Sequence, residues 1–412
     1  MPGRAVHPMP DAGGVVITGL GLVLPHGVGL GAAEAVFAGR SAVCRLPGIA
    51  GIPDAIGAPV RHFVPPVGTE SADRATQFAI VAADEAWAGA ALPGHAMAPD
   101  RLAVAISLSK GGIQVLTRLA DGAARGVDAL AAAAPDAAAR TVAARLGITG
   151  PASAPITACA SGGHALLWGV TLIRRGVVDV AIVGAAEASL HPLLLGSYRR
   201  MGVLAPAGTD PAMAVRPFSA TRRGFAIGEG AGVLVLESES SAARRGVRPL
   251  ACISGWAAGC QTGGMMDMED GGQTLARLIG DALRRAATAP ERIDYIHAHG
   301  TATLRNDQAE AAAVHAALGR AAGGVSVSST KGSHGHLLGA ATAVELVLTV
   351  LAMERGLVPP TANLTDPDPR IGLDCTPLRP RVRPIRAALK TASGFGGQML
   401  AILLTAPGGS HT

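Results

Sequence analysis

The chain has 412 residues, of which 49% are hydrophobic and only 3% aromatic, and a formal net charge of +5. That size allows one large domain or two ordinary ones with a core of small, closely packed side chains. The basic residues are scattered, with short clusters at Arg222-Arg223, Arg244-Arg245 and 379–386, which excludes a nucleic-acid stripe interleaved with aromatics.

In chain order, residues 1–13 lack the apolar core of a signal peptide and are expected to be a disordered leader of a cytoplasmic protein. A strand is predicted over 15–23, a helix over 71–88, a strand over 103–108 and a helix over 137–146. A helix over 164–175 and strands over 179–187 and 232–237 follow. The polar, basic stretch 238–249 reads as a linker, giving halves at 14–245 and 246–408. The second half predicts strands over 251–257, 295–299, 325–328 and 401–404, with helices over 272–287, 307–318 and 339–355. This alternation implies α/β layers with largely parallel strands. No apolar run is long enough to span a bilayer. Cys44, Cys159, Cys252, Cys260 and Cys375 are widely spaced, with no C-x-x-C, so neither a disulfide framework nor a zinc site is indicated.

Cys159 stands in Pro155-Ile156-Thr157-Ala158-Cys159-Ala160-Ser161-Gly162-Gly163-His164, where an apolar stretch gives way to a helix. A helix N-terminus favours a thiolate, and the small neighbours leave room for a substrate. A buried structural cysteine is the competing reading. Thr330-Lys331-Gly332-Ser333-His334-Gly335-His336-Leu337-Leu338-Gly339 opens a helix at a similar place in the second half. Either the chain repeats itself and points two helix N-termini at one centre, or two Gly- and Ala-rich segments are alike by chance.

In Tyr295-Ile296-His297-Ala298-His299-Gly300-Thr301-Ala302-Thr303, His299 falls at a strand end, where α/β proteins place reactive groups. His297 shares its face and reads as the structural histidine of the two. Thr301 and Thr303 offer paired hydroxyls to a linear polar ligand, or are ordinary loop residues. A metal site from His299, His334 and His336 lacks a carboxylate at ligand spacing. Thr391-Ala392-Ser393-Gly394-Phe395-Gly396-Gly397 suggests a flexible loop with backbone N–H groups facing a ligand. It leads into a strand, so it is no phosphate cradle at a helix N-terminus.

Together these runs resemble the β-ketoacyl-acyl-carrier-protein synthases of the elongating, two-histidine class. Val15-Val16-Ile17-Thr18-Gly19-Leu20-Gly21, Arg216-Pro217-Phe218, Gly224-Phe225, Gly228-Glu229-Gly230-Ala231-Gly232 and Pro359-Pro360-Thr361-Ala362-Asn363-Leu364 extend the likeness. The resemblance implies a thiolase-like αβαβα sandwich of two pseudo-repeated βαβαβαββ halves. It makes Cys159 the nucleophile and His299 and His336 the catalytic pair. Lys331 matches a buried catalytic lysine, Asp307 and Glu310 the acidic residues of its network, and Glu345 a carboxylate behind it. Thr301 and Thr303 match the pair that holds the pantetheine arm. Phe395 matches the gating phenylalanine, whose N–H joins that of Cys159 in an oxyanion hole. Gly196-Ser197-Tyr198-Arg199 replaces a common Gly-Phe-Gly pattern, so Tyr198 and Arg199 imply a more polar pocket mouth. The segment 110–143 is short, alanine-rich and unlike the family.

The implied reaction is decarboxylative Claisen condensation of a Cys-bound acyl group with malonyl-acyl-carrier protein, in fatty-acid or, by preference, specialised polyketide-type synthesis. No metal, flavin or nicotinamide is required. Acyl and malonyl carrier proteins are the implied partners, with a homodimer or a heterodimer with a ketosynthase-like paralogue. The alternative is a weakly catalytic or non-catalytic subunit of chain-length-factor type.

Overall fold

The computed structural model describes residues 13–94 and 97–408. The expected leader therefore lies almost wholly outside the described residues. Long apolar runs form strands buried on both faces, such as β1 (Val15–Leu24), β2 (Leu102–Leu108), β3 (Val180–Glu187) and β4 (Gly230–Ser238). The second half adds β5 (Ala251–Cys260), β6 (Tyr295–His297), β7 (Ser326–Ser328), β8 (Ala387–Ser393) and β9 (Gln398–Thr405). A short strand, Ala152–Ser153, completes the first half beside β2.

The two halves have the same topology. In the first the order runs Ala152–Ser153, β2, β3, β4, β1; in the second, β7, β6, β8, β9, β5. In each, the first three strands are parallel and the last two antiparallel to their neighbours. The sheets are therefore mixed rather than largely parallel. In the second half β8 and β9 follow one another with no helix between them, a direct connection that reverses direction, whereas in the first the excursion from β3 to β4 carries the helix Pro192–Arg200. β1 meets β5 antiparallel through Val15–Ile253, Val16–Cys252 and Ile17–Ala251, joining the halves edge to edge.

Helices α1 (Arg74–Gly89) and α2 (Ala137–Leu146) cover the outer face of the first sheet. Asp73 starts α1 by accepting the Ala75 N–H at 3.0 Å. Between the sheets lie α3 (Ser161–Arg174) and, from the second half, α6 (Ala341–Arg355). Helices α4 (Gln273–Arg285) and α5 (Leu304–Leu318) cover the second sheet's outer face. The layers are thus α, β, α, β, α. The stretch read as a linker contains the short helix Glu239–Arg245.

Glycine decides how closely the central helices approach. A Cβ on Gly162 would stand 2.7 Å from the Ala343 Cβ, and one on Gly163 would stand 2.4 Å from a Leu400 methyl. These small residues serve helix packing rather than substrate access, because only a missing side chain lets the two backbones come this near. Among the described residues no helix is long and apolar enough to cross a membrane.

Candidate active site

Cys159 lies in a one-turn 3-10 helix, Ala158–Ala160, that runs directly into α3. Ala158 has φ of +49°, a left-handed conformation that costs an L-residue energy and turns the chain sharply. Ser161 braces this turn, accepting from the Thr157 N–H at 2.9 Å and donating to the Ala158 carbonyl at 2.7 Å. Thr342 of α6 donates to the Cys159 carbonyl at 3.1 Å. The second half repeats the device: Leu338, with φ of +47°, opens the 3-10 turn Leu338–Ala340 ahead of α6. The structural counterpart of Cys159 is therefore Gly339, and the register suggested by the sequence is offset.

Cys159, His299 and His336 line one cavity of about 1160 Å³ together with Thr301, Thr303, Phe225 and Phe395. The two imidazole centroids are 5.4 Å apart, with the rings nearly perpendicular. Burial holds both rings well below the ordinary histidine pKa, and the positive charge of Lys331 adds to the effect. Both are neutral donors at neutral pH. Nδ1 of each ring is buried without a protein partner.

The backbone at His299 is fixed from behind. Glu310 Oε1 accepts the His299 N–H and Oε2 the Gly300 N–H, each at 2.7 Å, while Thr391 donates to Oε1 at 2.6 Å. Lys331 Nζ donates to the His299 carbonyl and to Glu345 Oε1, both at 2.5 Å. Glu345 Oε2 lies 2.7 Å from Lys390 Nζ, so one fully buried carboxylate bridges two buried lysines. Burial opposes ionisation of Glu345, but the two ammonium groups hold it well below the usual carboxylate range. Burial pulls Lys390 down to about 8 against the pull of Glu345. Lys331 acts on His299 through its carbonyl and through space; among the described residues it makes no hydrogen bond to the ring of His299 or His336.

Asp307 belongs to a different cluster. It accepts the Phe218 N–H at 2.8 Å and lies 3.5 Å from Arg222, which also binds Asp368 at 2.7 Å. Burial raises its pKa to about 6. Thr301 and Thr303 hydroxyls are 2.9 Å apart on the cavity wall. Gly394 presses on the Cys159 turn, where a Cβ would meet the Thr157 carbonyl at 2.8 Å and the Cys159 nitrogen at 3.3 Å. The Phe395 N–H thereby reaches the Cys159 sulfur.

Two expectations change. A thiolate is not the resting form of Cys159: burial pushes the thiol up to about 11, outweighing Lys110, Lys331 and the Phe395 N–H. Tyr198 is not at the mouth. On the helix Pro192–Arg200, Arg199 reaches the cavity wall while its neighbour Tyr198 turns inward and stacks on Phe395 at 6.2 Å. Burial also keeps its phenol neutral. Tyr198 meets Phe225 edge-on at 5.9 Å, and Phe225 meets His336 at 4.9 Å, linking the Phe395 loop to a histidine through ring contacts. His297 is a satisfied core histidine, bonded to Thr349 at 2.9 Å and Thr330 at 3.0 Å. His334 binds Thr330 and the Gly335 carbonyl, each at 2.8 Å, so it faces away from the pair.

Lys390 and Phe225 were not identified as site residues from sequence. Phe225 carries no signal of its own. Lys390 does: it is a lone charge inside Ala387-Ala388-Leu389-Lys390-Thr391-Ala392, a strand core where only a paired lysine is tolerated.

The family description "Beta-ketoacyl synthase, N-terminal domain" matches residues 12–242, and "Beta-ketoacyl synthase, C-terminal domain" matches 250–365. The tetracenomycin polyketide synthase ketoacyl synthase alpha subunit of Streptomyces glaucescens is 36% identical, with 95% of this chain and 97% of that protein covered. The solved structure of a type II polyketide synthase acyl-carrier protein in complex with its ketosynthase bound to the hexaketide matches at a TM-score of 0.88. Its identity is 33%, with 96% of this chain and 99% of that chain covered. The ishigamide ketosynthase/chain length factor structure matches at 0.88 with 30% identity over 96% of this chain and 100% of that chain. The convergence of thiol and imidazoles, the doubled topology and these matches agree: the chain belongs to the β-ketoacyl synthase family, with the thiolase-like fold.

Proposed function

We propose that this ketosynthase carries out decarboxylative condensation on polyketide-type chains delivered by an acyl carrier protein. The Cys159 thiol attacks a carrier-bound thioester, the acyl group moves to sulfur, and the thiol proton leaves with the carrier thiol. A malonyl thioester then loses CO2, and the electron pair of the broken C–C bond becomes an enolate. The neutral N–H groups of His299 and His336 stabilise its oxygen. The α-carbon attacks the Cys159-bound carbonyl, whose oxyanion the N–H groups of Cys159 and Phe395 receive. The new C–C bond forms as the C–S bond breaks, and the sulfur regains a proton. Thr301 and Thr303 hold the linear arm that brings each thioester in, and the Glu310, Lys331 and Glu345 network keeps His299 in place.

The observation that carries this reading is the meeting of Cys159, His299 and His336 in one cavity from distant parts of the chain. The exposed residues Arg45, Arg199, Arg223 and Arg305 line its outer part, against the acidic Asp54 and Asp267. That balance suits a phosphopantetheine arm and an acidic carrier. The intact nucleophile favours an active subunit over a non-catalytic one, in a homodimer or paired with a paralogue, in the cytoplasm. Intact-mass measurement tests the assignment. Cys159→Ala loses the acyl mass shift. His336→Ala keeps the shift but releases CO2 from malonyl-carrier about a hundredfold more slowly. Normal decarboxylation by that variant refutes the role of His336.

A further inference from the structure

Ser393, the last residue of β8, has had no role so far. It lines the same cavity as Cys159, His299, Thr301 and Thr303, and is 6% exposed. Its Oγ is buried with no hydrogen-bond partner among the described residues. Alternation along β8 fixes the face this hydroxyl takes. Lys390 and Ala392 turn to the layer between the sheets, where Lys390 meets Glu345 of α6 and Ala392 joins the central apolar cluster. Thr391 turns to the other face and donates to Glu310 of α5. Ser393 shares that face with Thr391, about 6.6 Å further along the strand. Glu310 also accepts the Gly300 N–H, so this face runs beside the turn that leads into Thr301 and Thr303. The next residue, Gly394, packs against the Cys159 nitrogen. Ser393 thus stands on the cavity wall between the threonine pair and the Cys159 turn.

We propose that Ser393 is a specificity-determining residue whose hydroxyl hydrogen-bonds the amide nearest the sulfur of the pantetheine arm. This rests on the reading that a carrier-borne thioester reaches Cys159 through this cavity. The Thr301 and Thr303 hydroxyls already bond each other at 2.9 Å, whereas the Ser393 hydroxyl has nothing to bond. A buried hydroxyl left unpaired is costly, and a ligand that supplies the missing partner recovers the cost. An amide does this, because its carbonyl accepts and its N–H donates. A site built in this way rejects a ligand that lacks the polar group. The acyl chain is the poorer match, since Cys159 itself sits in an apolar cluster with Leu195, Phe225, Ile227 and Leu338.

The test uses two probes that bind without reacting: S-methyl pantetheine, and an analogue with methylenes in place of the amide nearest sulfur. Each is titrated against the rate of iodoacetamide alkylation of Cys159, read by peptide mass on the full chain. No acyl transfer is involved, so the result is separate from the Cys159→Ala and His336→Ala tests. The native chain is protected by the amide probe at about tenfold lower concentration than by the analogue. Ser393→Ala removes that preference by weakening the amide probe alone, and melts no lower than the native chain because it loses an unpaired hydroxyl. An unchanged preference, or equal weakening of both probes, overturns the assignment. So does a lower melting temperature or failure to fold, which shows that the hydroxyl already has a partner. Protection of the native chain without any amide preference refutes Ser393 alone, whereas no protection by either probe refutes the arm site as a whole and Ser393 with it.

Discussion

The two central turns are built alike and equipped differently. Ala158–Ala160 before α3 and Leu338–Ala340 before α6 each start on a left-handed residue and deliver a helix N-terminus to the middle of the molecule. The first carries a thiol in an apolar cluster. The second has glycine at the matching position and is preceded by Lys331 and His336, with a buried ionic cluster behind them. Duplicating one scaffold thus yields two sites facing each other. In the proposed reaction one holds the covalent acyl group and the other stabilises negative charge. The close approach of α3 and α6 at Gly162 and Ala343 makes them a single centre.

The comparison breaks most sharply in the second half. Glu345→Ala leaves two buried ammonium groups without their carboxylate and is expected to cost about 3–5 kcal/mol. Denaturant unfolding measures it, and a loss below about 1 kcal/mol would show that the cluster does not bear on stability.

Acid should act mainly through the histidines. His297, His299, His334 and His336 are neutral in the fold with pKa values below the ordinary one, chiefly through burial, as are His26 and His164 to a lesser degree. Below about pH 6.5 the unfolded chain binds more protons than the folded one, so this contribution is present above that pH and lost as pH falls. Asp307, raised to about 6, works the other way, as do Asp73, Glu229 and Glu354, which burial also raises. The six lowered histidines outnumber these four carboxylates, so the melting temperature should fall between pH 6.5 and 4.5; calorimetry showing a rise would place the raised carboxylates in control.

A smaller effect sharpens the symmetry argument. Gly162→Val puts side-chain atoms where Ala343 already lies and should cost about 1–3 kcal/mol, read by unfolding. The cost should lessen when Ala343 is changed to glycine, and strict additivity would deny the contact. Smallest of all, Thr303→Val should raise KM for the carrier-bound substrate a few-fold while leaving kcat nearly unchanged, since one exposed-side hydrogen bond contributes about 1 kcal/mol. Steady-state kinetics separates the two.

Much of the site was legible because reactive residues stand out against an Ala- and Gly-rich background. Cys159, His299 and His336 each occupy a junction between an apolar run and a loop or helix, and the structure brings all three to one cavity. The second-sheet strand β8 went unread because its lysine interrupts the apolar pattern, although Glu345 neutralises that lysine in the fold. The mixed direction of the second half escapes for the same reason: without β8, the direct β8–β9 return is invisible. The sequence places Tyr198 with Arg199 at the pocket mouth, but the helix carrying them turns adjacent residues to different faces.

Local order came from the sequence itself. Apolar periodicity, the small residues at the turns and the position of each reactive side chain at an element's end are properties of neighbouring residues. Charge state and partnership were decided only in three dimensions. Burial keeps Cys159 a thiol and the histidines neutral, and it leaves Lys331 and Lys390 sharing Glu345. Desolvation and ion pairing depend on which distant segments close over a group, and no local pattern encodes that.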